Sequence, residues 1–217
     1  MRAIEVTRTG GPEVLRYVER PIPEPGLGQV LIKAEAIGVN FIDTYFRTGM
    51  YPHPLPFVPG SEACGTVVTL GERVDRIGVG DRVATSVALG AYAEYCVAPA
   101  DLVTPVPHGI SSEVAASALL KGHTAHLLIK SVYPVRPGDT VLLHAGAGGV
   151  GLILTQWATT LGAHVITTVS TPRKAALSRA AGAITVTTGE RYRLHDAARA
   201  HRDLESRKTH GSTVLIP

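Results

Sequence analysis

Two unlike parts are predicted, a mostly-β, barrel-like unit first and a shortened parallel α/β unit after it. Three observations predict them. Over the first hundred residues, short runs rich in Val, Ile, Thr and Tyr alternate with Gly- and Pro-rich turns. At 140–151 an apolar run, Thr140-Val-Leu-Leu-His144, enters Gly146-Ala-Gly148-Gly149-Val150-Gly151, a Gly-x-Gly-x-x-Gly turn placed to open a helix. A second apolar run, Ala163 to Ser170, follows that helix, and after Val186 the pattern stops.

Strands are expected at Arg2 to Thr7, Val30 to Gly38, Glu62 to Leu70 and Ala91 to Ala98, where β-formers alternate in part with polar residues. Gly10-Gly-Pro12, Pro21-Ile-Pro-Glu-Pro-Gly26 and Gly78-Val-Gly-Asp81 separate them as turns. Packing such short strands compactly suggests a barrel. A short helix interrupts them: Asn40 is a capping residue, Phe41 to Arg47 gives two turns, and Gly49 can end them in the left-handed conformation. Four prolines then stiffen Tyr51 to Gly60.

From Ser111 the period lengthens. Ser112 can cap a helix over Glu113 to Leu120, a second helical run spans His123 to Tyr133, and Pro134, Pro137 and Gly138 stop it. Beyond the second apolar run, Pro172 opens a helix to Ala180. Gly182 ends it, and Ile184 to Val186 reads as the start of a third strand. In the tail, Leu194 to Ser206 has helical spacing and Ser212 to Ile216 forms a closing strand.

Composition bounds the function. At 45% hydrophobic residues, the 217-residue chain has material for a real core, and a net charge of +3 is too small to argue for nucleic acid. No apolar run reaches the ~18 residues of a membrane span, and no leader is recognisable, so a cytoplasmic protein is expected. Cys64 and Cys96, the two cysteines, make no disulfide framework and suit a reducing compartment. His123 and His126 share a helix face, but with no Cys or carboxylate partner evident no metal site is expected.

The strand, glycine turn and helix are the parts of a dinucleotide site. Gly146 would permit the tight turn, Gly148 the approach of a pyrophosphate, and Gly151 close helix packing. The helix N-terminus supplies N–H groups and a positive dipole end. An NAD site would put Asp or Glu at the end of the second strand. Here Ser170-Thr171-Pro-Arg-Lys174 offers hydroxyls and cations, which suit the 2′-phosphate of NADPH. The same residues also read as a solvated helix start.

Several blocks together resemble quinone oxidoreductases of the zeta-crystallin type, in the zinc-free branch of the medium-chain dehydrogenases/reductases. They are Gly10-Gly-Pro-Glu-Val-Leu15, Gly38-Val-Asn-Phe-Ile-Asp-Thr-Tyr45, Pro59-Gly-Ser-Glu-Ala-Cys-Gly65, Gly80-Asp-Arg-Val83, Leu120-Lys-Gly-His-Thr-Ala125, His144 to Gly151, Asp196 to His201, and the closing Leu204 to Pro217. The resemblance implies a GroES-like β-barrel catalytic domain, residues 1–121 and 187–217, and a truncated Rossmann-type parallel sheet, residues 122–186. It implies transfer of a hydride or electrons from NADPH to a quinone or enone. It assigns Asn40, Asp43, Tyr45 and Tyr51 to the substrate, and Phe41, Thr124, Gly146, Gly148, Gly149, Val150, Gly151, Ser170, Thr171, Lys174 and Arg207 to the cofactor. Zinc relatives carry Cys where Asn40 stands and His where Ser61 stands, so no metal is implied.

Without the resemblance, Asn40 reads as a cap, Tyr45 and Tyr51 as half-buried packing, and Arg207 as an exposed residue after a helix. The departure from the family is as clear as the match. Between Ala183 and Gly189 the chain passes to the family's final segment, skipping three βα units of ~30 residues each, roughly a hundred residues. With strand four of the usual 3-2-1-4-5-6 order gone, Thr140 to His144 becomes an edge. The expectations are weak NADPH binding, little turnover, loss of the family homodimer and a tendency to self-associate. A non-catalytic nucleotide- or protein-binding remnant is the alternative. RNA binding, another family trait, is disfavoured by the modest charge and the lack of stacking aromatics in a basic groove.

Overall fold

The computed structural model describes residues 1–169, 171–181, 188–209 and 212–217. β1 (Arg2–Val6) and β2 (Leu15–Glu19) form an antiparallel hairpin. β3 (Gln29–Val39) is the spine of the first unit, its Val, Leu, Ile and Ala residues buried on both faces over most of its length. α1 (Phe41–Thr48) follows it, ended by Gly49 at φ 82°. β4 (Glu62–Leu70) pairs along β3, β5 (Arg82–Thr85) pairs with β4, and β6 (Tyr95–Pro99) pairs with the first half of β3. β7 (Val103–Pro105) pairs with β5.

The sheet is open and branched rather than a closed barrel. Its path runs from β10 (Thr188–Arg193) through β11 (Ser212–Ile216), β3, β4 and β5 to β7, with β6 off the path on β3. Among the described residues its two ends do not pair. β7 is three residues long and ends in Pro105, with Pro107 close behind, and proline has no N–H to extend a ladder. Single bridges, Ala3–Ala93 and Val6–Phe57, lay the β1–β2 hairpin against this sheet. The strand expected at Ala91 to Ala98 begins only at Tyr95. Its first part makes irregular bonds instead, with Ile4 N–H donating to the Tyr92 carbonyl and Tyr92 N–H to that of Pro59.

The tail belongs to this first core. α5 (Ala197–Glu205) and β11 put Ala197, Ala200 and Leu215 into one cluster with Ile4, Ile32 and Ile37.

α2 (Ser112–His126) is one helix, not the two expected. Gly122 does not break it, since glycine inside a helix costs only about 1 kcal/mol. The register changes later, at a π-helical stretch over Leu127–Val132. β8 (Thr140–His144) and β9 (His164–Thr168) are parallel, joined by α3 (Gly149–Thr160) and followed by α4 (Pro172–Ala180). Thr171 caps α4 by accepting the Lys174 N–H. Gly182 and the expected strand at Ile184 to Val186 lie outside the described residues.

One face of the β8–β9 pair is packed: Val141, Leu143 and Val165 lie on a cluster built from Ile129, Leu154 and Ala158. The other is bare, with Leu142 61% and Ile166 56% exposed. Among the described residues, β8 pairs with β9 alone and is an edge, as expected. No helix among the described residues is long and apolar enough to cross a membrane.

Candidate functional site

The glycine turn shows why its residues are small. At Gly151 a Cβ would run into the Ala145 carbonyl, so only glycine lets α3 start this close to β8. At Gly146 a Cβ would press on Thr167 of β9. The tight-turn role assigned to Gly146 falls elsewhere: the left-handed residue is Ala145, at φ 55°, and Gly146 is instead needed for close approach to β9. An L-residue held there costs about 1–3 kcal/mol, which the surrounding packing has to sustain. The first-turn N–H groups of Gly149, Val150 and Gly151 have no acceptor within the helix, and no acidic side chain occupies that turn. An anion is the natural partner for such a helix start.

At the end of β9, Thr171 spends an acceptor site on the Lys174 N–H, while Lys174 Nζ donates to the Arg207 carbonyl at 2.9 Å. Two residues assigned to the cofactor from opposite ends of the α/β segment and the tail therefore meet. Arg207 itself sits at φ 58° just past α5. Ser170 lies outside the described residues.

Around α1 the assigned residues divide into two groups. Phe41, Tyr45 and Tyr51 form an aromatic row, with centroids 5.5 Å and 5.2 Å apart, and Phe41 and Tyr51 are a little under half exposed. Asp43 points the other way, into the core. Its Oδ2 accepts the Asn40 N–H at 2.9 Å and the Tyr92 hydroxyl at 2.9 Å. Burial raises its carboxyl to about 6, against the lowering effects of those two bonds and of Lys121. Tyr92 continues to His201 (2.9 Å to Nε2), which meets Arg47, and Arg47 pairs with Glu205 of α5. Burial first, and the Arg47 charge second, lower His201 to about 3. His201 is thus neutral: Arg47 donates to Nδ1, Nε2–H donates to Tyr92, and Tyr92 donates to Asp43. This buried chain stiffens the base of α1 and leaves Asp43 no direct reach to a ligand.

Two buried residues escaped the sequence reading. Lys121 of α2 and Glu62 of β4 both bond to the Asn40 side chain, and Thr124 follows Lys121 one turn later, its hydroxyl donating to the Leu120 carbonyl. A lysine inside the apolar run of α2 was the available signal. Its partner, 59 positions away, left none. Among the described residues, no group of three His, Cys, Asp or Glu could hold a metal ion.

Residues 26–108 match the alcohol dehydrogenase GroES-like domain. The structure of mycobacterial Rv1454c complexed with NADPH superposes with a TM-score of 0.99 at 46% identity, covering 100% of each chain. The chain belongs to the quinone oxidoreductase family. Escherichia coli quinone oxidoreductase complexed with NADPH superposes at a TM-score of 0.93 with 31% identity, again over 100% of both chains. In sequence, the quinone oxidoreductase of Pseudomonas aeruginosa is 48% identical over 184 residues, 84% of this chain and 57% of its own length. Quinone oxidoreductase 1 of Escherichia coli is 46% identical over 83% of this chain and 56% of its own. The chain spans a little over half the length of the curated relatives it matches. In this chain the barrel-like unit and the glycine turn are present together, while among the described residues β8 stands at the edge of a two-stranded sheet.

Proposed function

We propose that this chain is an NADPH-dependent quinone or enone reductase by descent, whose shortened nucleotide unit limits its turnover. Residues 1–121 with 187–217 would form the catalytic part and 122–186 the nucleotide part. Two observations support the reading: Lys174 is held on the Arg207 backbone, and the helix start at Gly149, Val150 and Gly151 carries no acidic side chain. Free N–H groups at one place and a fixed cation at the next suit a pyrophosphate and a 2′-phosphate.

The residues fit NADPH at its phosphate end. Gly146, Gly148, Gly149, Val150 and Gly151 would hold the diphosphate, with Ser170, Thr171, Lys174 and Arg207 around the phosphorylated ribose, and Phe41 and Thr124 toward the other end. Bound NADPH supplies the hydride. Asn40 would donate a hydrogen bond to the acceptor's carbonyl oxygen, and the Tyr45–Tyr51 pair would flank its ring. Asp43 acts only through Asn40, whose backbone it fixes. Catalysis is then chiefly positioning, with no side chain forced into a covalent role.

A second reading, a non-catalytic nucleotide- or protein-binding remnant, draws on the bare Leu142–Ile166 face. Titration of the chain with NADPH and NADH by nucleotide fluorescence, with quinone-dependent oxidation and sedimentation in parallel, tests both. Weak, NADPH-selective binding with slow turnover is expected. Micromolar affinity, brisk quinone reduction and a clean monomer would together refute the limited-turnover reading, and NADPH selectivity with no quinone reduction at all would favour the remnant.

A further inference from the structure

Asn40, Glu62 and Lys121 come from the start of α1, from β4 and from α2, and they meet in the interior: Glu62 is 0%, Asn40 5% and Lys121 6% exposed. Lys121 Nζ donates to Asn40 Oδ1 at 2.7 Å and to Glu62 Oε2 at 3.0 Å. Asn40 Nδ2 donates to Glu62 Oε2 at 2.8 Å, and the Leu120 N–H donates to Glu62 Oε1 at 2.8 Å. The backbone makes room for this, because a Cβ on Gly38 would collide with the Glu62 carboxylate.

The donor and acceptor inventory settles the direction of every bond. All three groups bonded to Glu62 are donors, so both carboxylate oxygens serve as acceptors. An ammonium cannot accept, so Asn40 can meet Lys121 only with its carbonyl oxygen and Glu62 only with its NH2 group. The side-chain amide, whose two ends are otherwise interchangeable, has one allowed orientation. Its second Nδ2 hydrogen is spent on none of these bonds.

We propose that Lys121 and Glu62 are positioning residues, a charge pair that locks the Asn40 amide so that it offers an N–H, not a carbonyl, to the ligand. This rests on the quinone or enone reading above and names what that site selects: a ligand bearing an acceptor oxygen at the Asn40 position. A buried ion pair recovers little of its desolvation cost, and apolar residues of similar volume would serve the fold as well. Orienting an amide is a task apolar residues cannot perform.

The test reads the Asn40 side chain directly in the full chain, by 15N side-chain amide spectra assigned through Asn40→Asp. In the wild type, one Nδ2 hydrogen should exchange with solvent at least tenfold more slowly than the other. In Lys121→Met the Asn40 carbonyl loses its donor and only the Glu62 bond remains, so the protection should fall while circular dichroism stays unchanged. Glu62→Met removes both acceptor oxygens and should release Asn40 altogether. Fast exchange of both hydrogens in the wild type overturns the proposal without any variant, and so does protection surviving in both variants.

Adding 1,4-naphthoquinone separates the two ideas. A shift of the unbonded Nδ2 hydrogen in the wild type, lost in Lys121→Met, supports both. An Asn40 amide that depends on Lys121 yet ignores the quinone leaves the positioning pair standing and removes the quinone reading.

Discussion

Lys174 places its ammonium 2.9 Å from the carbonyl oxygen of Arg207, 33 positions further along the chain. The contact ties the first turn of α4 to the turn after α5, so the α/β segment and the tail share one cationic corner. A charge-assisted bond from that corner to a 2′-phosphate is worth about 1.5 kcal/mol or more, which is roughly tenfold in affinity. Lys174→Ala should therefore weaken NADPH binding about tenfold and leave NADH within roughly twofold. Equal losses for both nucleotides in a fluorescence titration would remove the 2′-phosphate assignment.

The bare face of β8 and β9 predicts association between copies of the chain. Leu142 and Ile166 are neighbours in the ladder register and both stand in water. A parallel strand with an open edge and apolar residues on its free face is an invitation to pair, and lysine on such a strand blunts it. Sedimentation velocity should show mass rising with concentration in the wild type. Leu142→Lys should restore a monomer without lowering the melting temperature by more than roughly 2 °C, since it removes a group already in solvent. A monomeric wild type at high concentration would contradict this.

The Asp43–Tyr92–His201 chain gives acid stability a particular shape. His201, lowered from 6.5 to about 3, binds a proton more readily in the unfolded chain. Its contribution is complete above pH 6.5 and is lost as pH falls toward 3. Asp43, raised from 3.8 to about 6, has the opposite sign: the folded chain binds the proton more readily, so stability is gained as pH falls from 6 to 3.8. The two oppose each other between pH 6 and 4, and below that His201 acts alone. Thermal midpoints from these groups should change little between pH 6 and 4, then drop. Asp43→Asn removes the opposing gain and should steepen the fall between pH 6 and 4. Parallel curves for wild type and variant would show that Asp43 does not titrate in that window.

Local signals explain which parts of the fold were legible. α4 begins at Pro172 because Thr171 and Pro172 form a complete start signal within two residues, and α1 ends at Gly49 because the left-handed turn there favours glycine. β10 was missed because Gly189-Glu-Arg-Tyr-Arg193 is polar, and its pairing is a tertiary one with β11, parallel and distant in sequence. The barrel stayed open for a reason visible only in three dimensions: the last strand of the path, Val103–Pro105, is three residues long and ends in a proline, which has no N–H to donate. In the site, the glycine turn was readable as a motif, while the inward direction of Asp43 was not. Spacing along α1 places Asp43 near Asn40 but does not say that Tyr92 and His201 wait behind it.

Arg47 and Glu205 make an ion pair whose two ends should respond very differently to mutation. Arg47 is 1% exposed, and its guanidinium reaches Glu205, His201 and the Gly10 carbonyl, so α1, α5 and the first turn all depend on it. Glu205 is about a third exposed, and water can take over its share of the bond. Arg47→Met leaves the Gly10 carbonyl and His201 Nδ1 without their donor, and losses of this kind run to about 3–5 kcal/mol. For a chain of this size that is roughly a 10 °C fall in melting temperature. Glu205→Gln keeps an acceptor for the guanidinium and should cost about 1 kcal/mol or less once solvent screening is allowed for. Differential scanning calorimetry of the two variants decides the matter. Similar falls for both would mean that the pair is held by its charges, and not by the three segments that meet on Arg47.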